Sequence, residues 1–164
     1  MAINPTALAL ENRNCGPKGE RTLGPACELM RDQWRSGERE RELALHLFFM
    51  ASYINVEPAH LTGRNENRIP RAELESVSAE VHAWLLPDGA ATDDAEALYV
   101  VGLPASMFPW ELSLDHSRLW SDRAELYRAR YRQLRPNGLD PAIFSGRGAY
   151  GEYYEGQVQV VRGF

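Results

Sequence analysis

Lysine is nearly missing from this 164-residue chain: Lys18 stands alone against seventeen arginines. That bias points to a GC-rich, bacterial coding sequence, so arginine richness is weak evidence for phosphate binding. Cysteine is scarce as well. Cys15 and Cys27 fit no CxxC or zinc spacing, which argues against a disulfide framework and for a reducing compartment. No apolar run approaches the about 20 residues a membrane-spanning helix needs; the longest, Leu43–Ile54, has twelve. The short ALAL stretch near the N-terminus has no basic region before it, so no targeting segment is expected, and the setting reads as cytoplasmic and soluble. Repeats, a GxSxG elbow and Cys–His pairing are absent too, which leaves covalent catalysis without a motif.

The length suits one domain and buries enough surface for a core without metal or disulfide staples. The net charge of −5 disfavours free contact with nucleic acid or an anionic membrane. The spacing predicts a mainly α fold: an irregular single-domain bundle of five or six helices. Residues 1–20, dense in Asn, Gly and Pro, read as an irregular arm, with a helical domain over 21–164. A first helix is expected from about Pro25 to Arg35, with Cys27, Met30 and Trp34 on one side. The central helix, about 38–55, is expected to start from a Ser36 cap and to end before Pro58. Its Leu43–Ile54 stretch is apolar almost all round, as in a buried helix.

A third helix is expected from Pro70 to Pro87, with Leu74, Val77, Val81, Trp84 and Leu85 as its apolar stripe. Asp93 and Asp94 open a fourth, in which Leu98–Leu103 reads equally as helix or as one short strand, and which Gly102 and Pro104 kink or end. A fifth spans about Ser117 to Arg135 on Trp120, Ala124, Tyr127, Tyr131 and Leu134. Asp140-Pro141 opens a short turn. The Gly- and Tyr-rich tail reads as a strand or a frayed helix.

Three groups of residues invite a chemical reading. At about 100° per residue, Glu42, His46, Met50 and Tyr53 share one arc of the central helix. A carboxylate, an imidazole and a phenol there could line a polar pocket with His46 as general base and Glu42 setting its pKa. The alternative is that this arc meets solvent or a neighbouring helix and its polar groups are simply satisfied. Second, Tyr150, Tyr153 and Tyr154 offer either an adhesive surface or lids over the core. Third, Arg128, Arg132 and Arg135 align on one helix face, as in a nucleic-acid contact or a solvated face.

Metal chemistry is not expected. Glu57 and His60 have the Glu-x-x-His spacing of di-iron bundles, but once only and beside a proline. If a metal were held, His46, Glu57, His60 and His82 would be its ligands. Gly146–Gly151 matches GxGxxG, yet it lacks the preceding strand and later acid that a dinucleotide loop needs, and no cofactor is expected. Acids crowd residues 71–96 and arginines residues 118–135, which invites internal pairing.

The reading these features give is a non-enzymatic binding or accessory protein working through contacts with another protein or a second copy of itself. The alternatives are a small-molecule binder or enzyme at Glu42, His46 and Tyr53, or nucleic-acid binding by Arg128, Arg132 and Arg135.

Overall fold

The structure is a computed structural model and describes residues 2–164. It is a helical bundle. Among the described residues there are nine α-helices and no strand. They are α1 (Pro5–Arg13), α2 (Leu23–Arg35), α3 (Arg41–Val56), α4 (Ala59–Thr62), α5 (Arg71–Leu85), α6 (Ala95–Met107), α7 (Pro109–Leu112), α8 (Ser117–Leu134) and α9 (Gly148–Val160), with a 3₁₀ turn at Pro141–Phe144 before α9. None is long and apolar enough to cross a membrane.

The central pillar is α3. Every residue from Leu43 to Ser52 is buried, because α2, α5, α6, α7 and α9 pack around it and leave no side for water. The α5 stripe holds at Leu74, Val77, Val81 and Leu85. Trp84 departs from it: the ring is partly exposed and meets Trp34 edge-on at 5.8 Å. The α8 stripe is buried at Trp120, Ala124, Tyr127 and Tyr131.

Several expectations fail at the ends of elements. Residues 5–13 are helical, not irregular. Asn4 caps α1 through Thr6 N at 2.9 Å, Pro5 occupies its first turn, and Ala7 and Glu11, one turn apart, are buried. Ser36 does not cap α3; it closes α2, where its hydroxyl donates to the Gln33 carbonyl at 2.7 Å. The Leu98–Leu103 ambiguity resolves as helix, and α6 continues past both Gly102 and Pro104 to Met107. The tail is a helix as well, α9.

The passage of α6 through Pro104 has a specific cause. Proline has no N–H for the carbonyl four residues back, here Val100. The Tyr154 hydroxyl of α9 donates to that carbonyl at 3.0 Å. A buried phenol thus supplies the bond the proline removed. Gly102 is equally particular: a Cβ there would lie 2.4 Å from the Phe164 ring, which is packed between Tyr99 and Tyr131.

Candidate functional site

The arc of α3 that carries Glu42 and His46 faces two other helices. Glu11 of α1 is fully buried, and one of its oxygens accepts from His46 Nδ1 at 2.7 Å. His46 Nε2 meets Glu42 at 3.2 Å. Ionised carboxylates only accept hydrogen bonds, so with Glu11 and Glu42 both ionised each ring nitrogen donates. Burial alone would push its pKa down; the hydrogen bonds and charges of Glu11 and Glu42 outweigh that and raise it.

The chain of charges continues. Arg147, just before α9, grips both Glu42 oxygens at 2.7 Å, the fork-on-carboxylate geometry of strong ion pairs. Burial would raise the Glu42 pKa, but His46 and Arg147 bring it to about 2. Arg147 also binds Glu96 of α6. Glu96 accepts from the Tyr150 hydroxyl at 2.6 Å and from Arg41 at 2.8 Å. Arg41 in turn forks onto Asp94 at 2.7 and 2.8 Å, and Asp94 caps α6 through Ala97 N. The order Glu11, His46, Glu42, Arg147, Glu96, Arg41, Asp94 alternates in sign throughout. It ties α1, α3, α6 and α9 together.

Tyr150 covers this network. Its ring stacks on His46 with centroids 4.5 Å apart and planes at 25°, and the Arg147 guanidinium lies 4.7 Å from the same ring. The GxGxxG match has its physical meaning here. Its third residue, Gly148, adopts φ +66°, and a Cβ would lie 2.7 Å from a Glu11 oxygen. That same oxygen accepts from Tyr150 N at 2.9 Å, an unpaired amide in the first turn of α9. The glycine-led helix start does receive an anion, and the anion is the protein's own Glu11.

Among the described residues five clefts stand out, and His46 lines none of them. Of the two readings of this arc, a pocket or a neighbouring helix, α1 and α9 occupy the space that a pocket beside Glu42 and His46 would need. Tyr53 lies apart from the ion pairs, half-buried against Phe49 and Tyr153.

The other candidate residues fare differently. Tyr150 and Tyr154 are buried, so they cannot form an adhesive surface; of the three tyrosines only Tyr153 reaches the surface. Arg128 pairs with Glu125 at 3.0 Å, Arg132 donates to the Gly163 carbonyl, and Arg135 to the Leu134 carbonyl. The acidic stretch is largely paired internally: Glu73 and Glu80 with Arg35, Glu75 with Arg71, Asp93 with Arg130 of the arginine-rich helix. Among the described residues no three His, Cys, Asp or Glu side chains are grouped to hold a metal ion. His60 is exposed on α4 and Glu57 follows the end of α3.

His82, at the α5–α8 contact, is buried and accepts from the Tyr127 hydroxyl at 2.6 Å. Its pKa falls to about 4, through burial first and the Arg123 charge second, so this ring is neutral. His116 sits at the start of α8. Cys15 and Cys27 are free, with burial foremost in raising their pKa values to about 11 and about 12. Neither is an activated nucleophile.

Glu11, Glu96 and Arg147 were not legible as members of the site. Glu11 lies in a segment with no visible period, and only Arg147's place in the glycine-rich motif marked it. Fold and site together define a helical bundle locked by an internal charge network. Comparison with family models, curated proteins and solved structures returns no match.

Proposed function

We propose that this chain is a non-enzymatic binding protein that works through protein–protein contact, and that a second copy of the chain occupies its apolar corner. The observation that carries the reading is the turn from α6 through α7 to α8. Met107, Trp110 and Leu114 are 41%, 49% and 61% exposed there, with Phe108 edge-on to Trp110. Large exposed apolar groups close together mark contact surfaces, and tryptophan is the residue most enriched among binding hot spots. Self-contact is favoured because the charge inside the corner is cancelled: Arg71 pairs with Glu111 at 3.0 Å and donates to the Trp110 carbonyl. Two copies can meet there across a two-fold axis with little like-charge repulsion, despite a net charge of −5 each.

The setting we read for it is the cytoplasm of a bacterium, supported by the arginine bias and two unpaired cysteines. Sedimentation velocity over a wide concentration range tests the contact. The wild-type chain should show a concentration-dependent dimer, and Trp110→Ser and Leu114→Ser should remain monomeric with unchanged circular dichroism. A wild type that stays monomeric at every concentration refutes the reading.

A further inference from the structure

The cleft beside the charge network, not the network itself, has the makings of a ligand site. It has a volume of about 230 Å³ and lies between the α1–α2 connection, α3 and α9. Phe49, almost fully buried, forms its floor, with Tyr53 and Tyr153 as half-buried walls. The three rings lean on one another: centroids are 5.3 Å apart for Phe49–Tyr53, 5.3 Å for Phe49–Tyr153 and 5.5 Å for Tyr53–Tyr153. Mutual packing fixes their positions before any ligand arrives, which lowers the ordering cost of binding. Neither phenol is hydrogen-bonded within the described residues; both remain available to a ligand.

Charge selects the occupant. Glu152 lines the cleft and holds the Gly16 amide with both oxygens at 3.0 and 2.9 Å. No arginine, lysine or histidine lines the cleft. Aromatic faces attract cations through the ring quadrupole, and a cleft whose charges are all of one sign concentrates the opposite ion. Anions are disfavoured on both grounds, and the volume limits the ligand to a small one.

We propose that the Phe49–Tyr53–Tyr153 cleft binds a small organic ammonium ion, with the cation against the aromatic rings and Glu152 supplying the balancing charge. The site is independent of the self-contact proposed at the α6–α8 corner.

The test uses the full chain, with choline as the probe and its uncharged carbon isostere 3,3-dimethylbutanol as the control, followed by NMR of the aromatic side chains. Choline should bind saturably, with the largest shifts at Phe49, Tyr53 and Tyr153, and about tenfold more tightly than the isostere. Tyr153→Leu should weaken choline by about tenfold. Glu152→Gln removes the charge that lines the cleft and keeps an oxygen for the Gly16 amide; it should weaken choline severalfold and leave the isostere unchanged. Phosphatidylcholine vesicles and a peptide carrying trimethyllysine, run in parallel, distinguish a headgroup or a modified side chain from a free metabolite as the source of the cation. Binding of the isostere as tight as that of choline overturns the proposal, as does shift perturbation located elsewhere, or no saturable binding in any arm.

Discussion

Replacing His46 by Leu removes the cation between two carboxylates and nothing else of comparable size. Glu11, fully buried, would keep only the Tyr150 amide at 2.9 Å as a partner. Removing one partner of a buried ion pair costs about 3–5 kcal/mol, because the other charge stays buried and uncompensated. For a chain of this size that is a fall of about 6–20 °C in Tm. Adding Glu11→Gln to His46→Leu neutralises the stranded charge and keeps an oxygen for the Tyr150 amide, so the double variant should be more stable than His46→Leu alone. The two substitutions should be non-additive by about 1–3 kcal/mol. Urea denaturation at neutral pH, followed by circular dichroism and tryptophan fluorescence, gives each value. A His46→Leu variant within about 1 kcal/mol of wild type, or a double variant that loses the full sum, would refute the network as derived above.

Other outcomes follow from single contacts and titrations. Gly148→Ala places a side chain at φ +66° and 2.7 Å from Glu11, and should cost about 2–3 kcal/mol; Gly156→Ala in the same helix meets nothing and should be neutral or stabilise by up to about 1 kcal/mol. Tyr154→Phe leaves the Val100 carbonyl beneath Pro104 without its donor and should cost about 1–3 kcal/mol in chemical denaturation, with any smaller cost contradicting the repair described for α6. The two buried histidines should give pH dependences of opposite sign. His46 is raised above 6.5, so its contribution is complete below pH 6.5 and lost as pH rises through its folded value; His82 is lowered to about 4, so its contribution is complete above pH 6.5 and lost as pH falls toward 4. Glu42, lowered from 4.5 to about 2, adds a further loss below pH 4.5. His46→Gln should abolish the alkaline step and His82→Gln the step between pH 6.5 and 4, measured as differences from wild type.

Much of the helical framework was legible because it rests on local periodicity. The α3 run announces a buried pillar by having no polar side, and α8 announces its inner face by Trp120, Ala124, Tyr127 and Tyr131. What failed to show in the sequence depends on contacts between distant residues. Pro104 reads as a breaker, and α6 survives it only because Tyr154, fifty residues on, bonds the freed carbonyl. The N-terminal helix is short, and its burial hinges on Glu11, a residue that belongs at the surface until His46 and the start of α9 are brought to it. The polar arc of α3 was visible, but not the identity of what faces it. Glu42 and His46 share that arc and meet each other; Tyr53 belongs to a separate aromatic cluster, and α1 and α9 occupy the space that a cavity between them would need. The tyrosine-rich tail was ambiguous for a plain reason: phenols suit both an exposed surface and a buried hydrogen bond, and only the partners Glu96 and Val100 decide for Tyr150 and Tyr154.

The central claim is that His46 is a charged link between Glu11 and Glu42 at neutral pH. Nitrogen-15 NMR of the histidine rings tests it directly, with the His46 signals assigned through His46→Gln. The account predicts that both His46 ring nitrogens carry protons at neutral pH and keep them as the pH is raised well past 6.5, while His82 stays neutral down to the acid range. A His46 ring that carries one proton at neutral pH, or titrates at or below the ordinary histidine value, would contradict it.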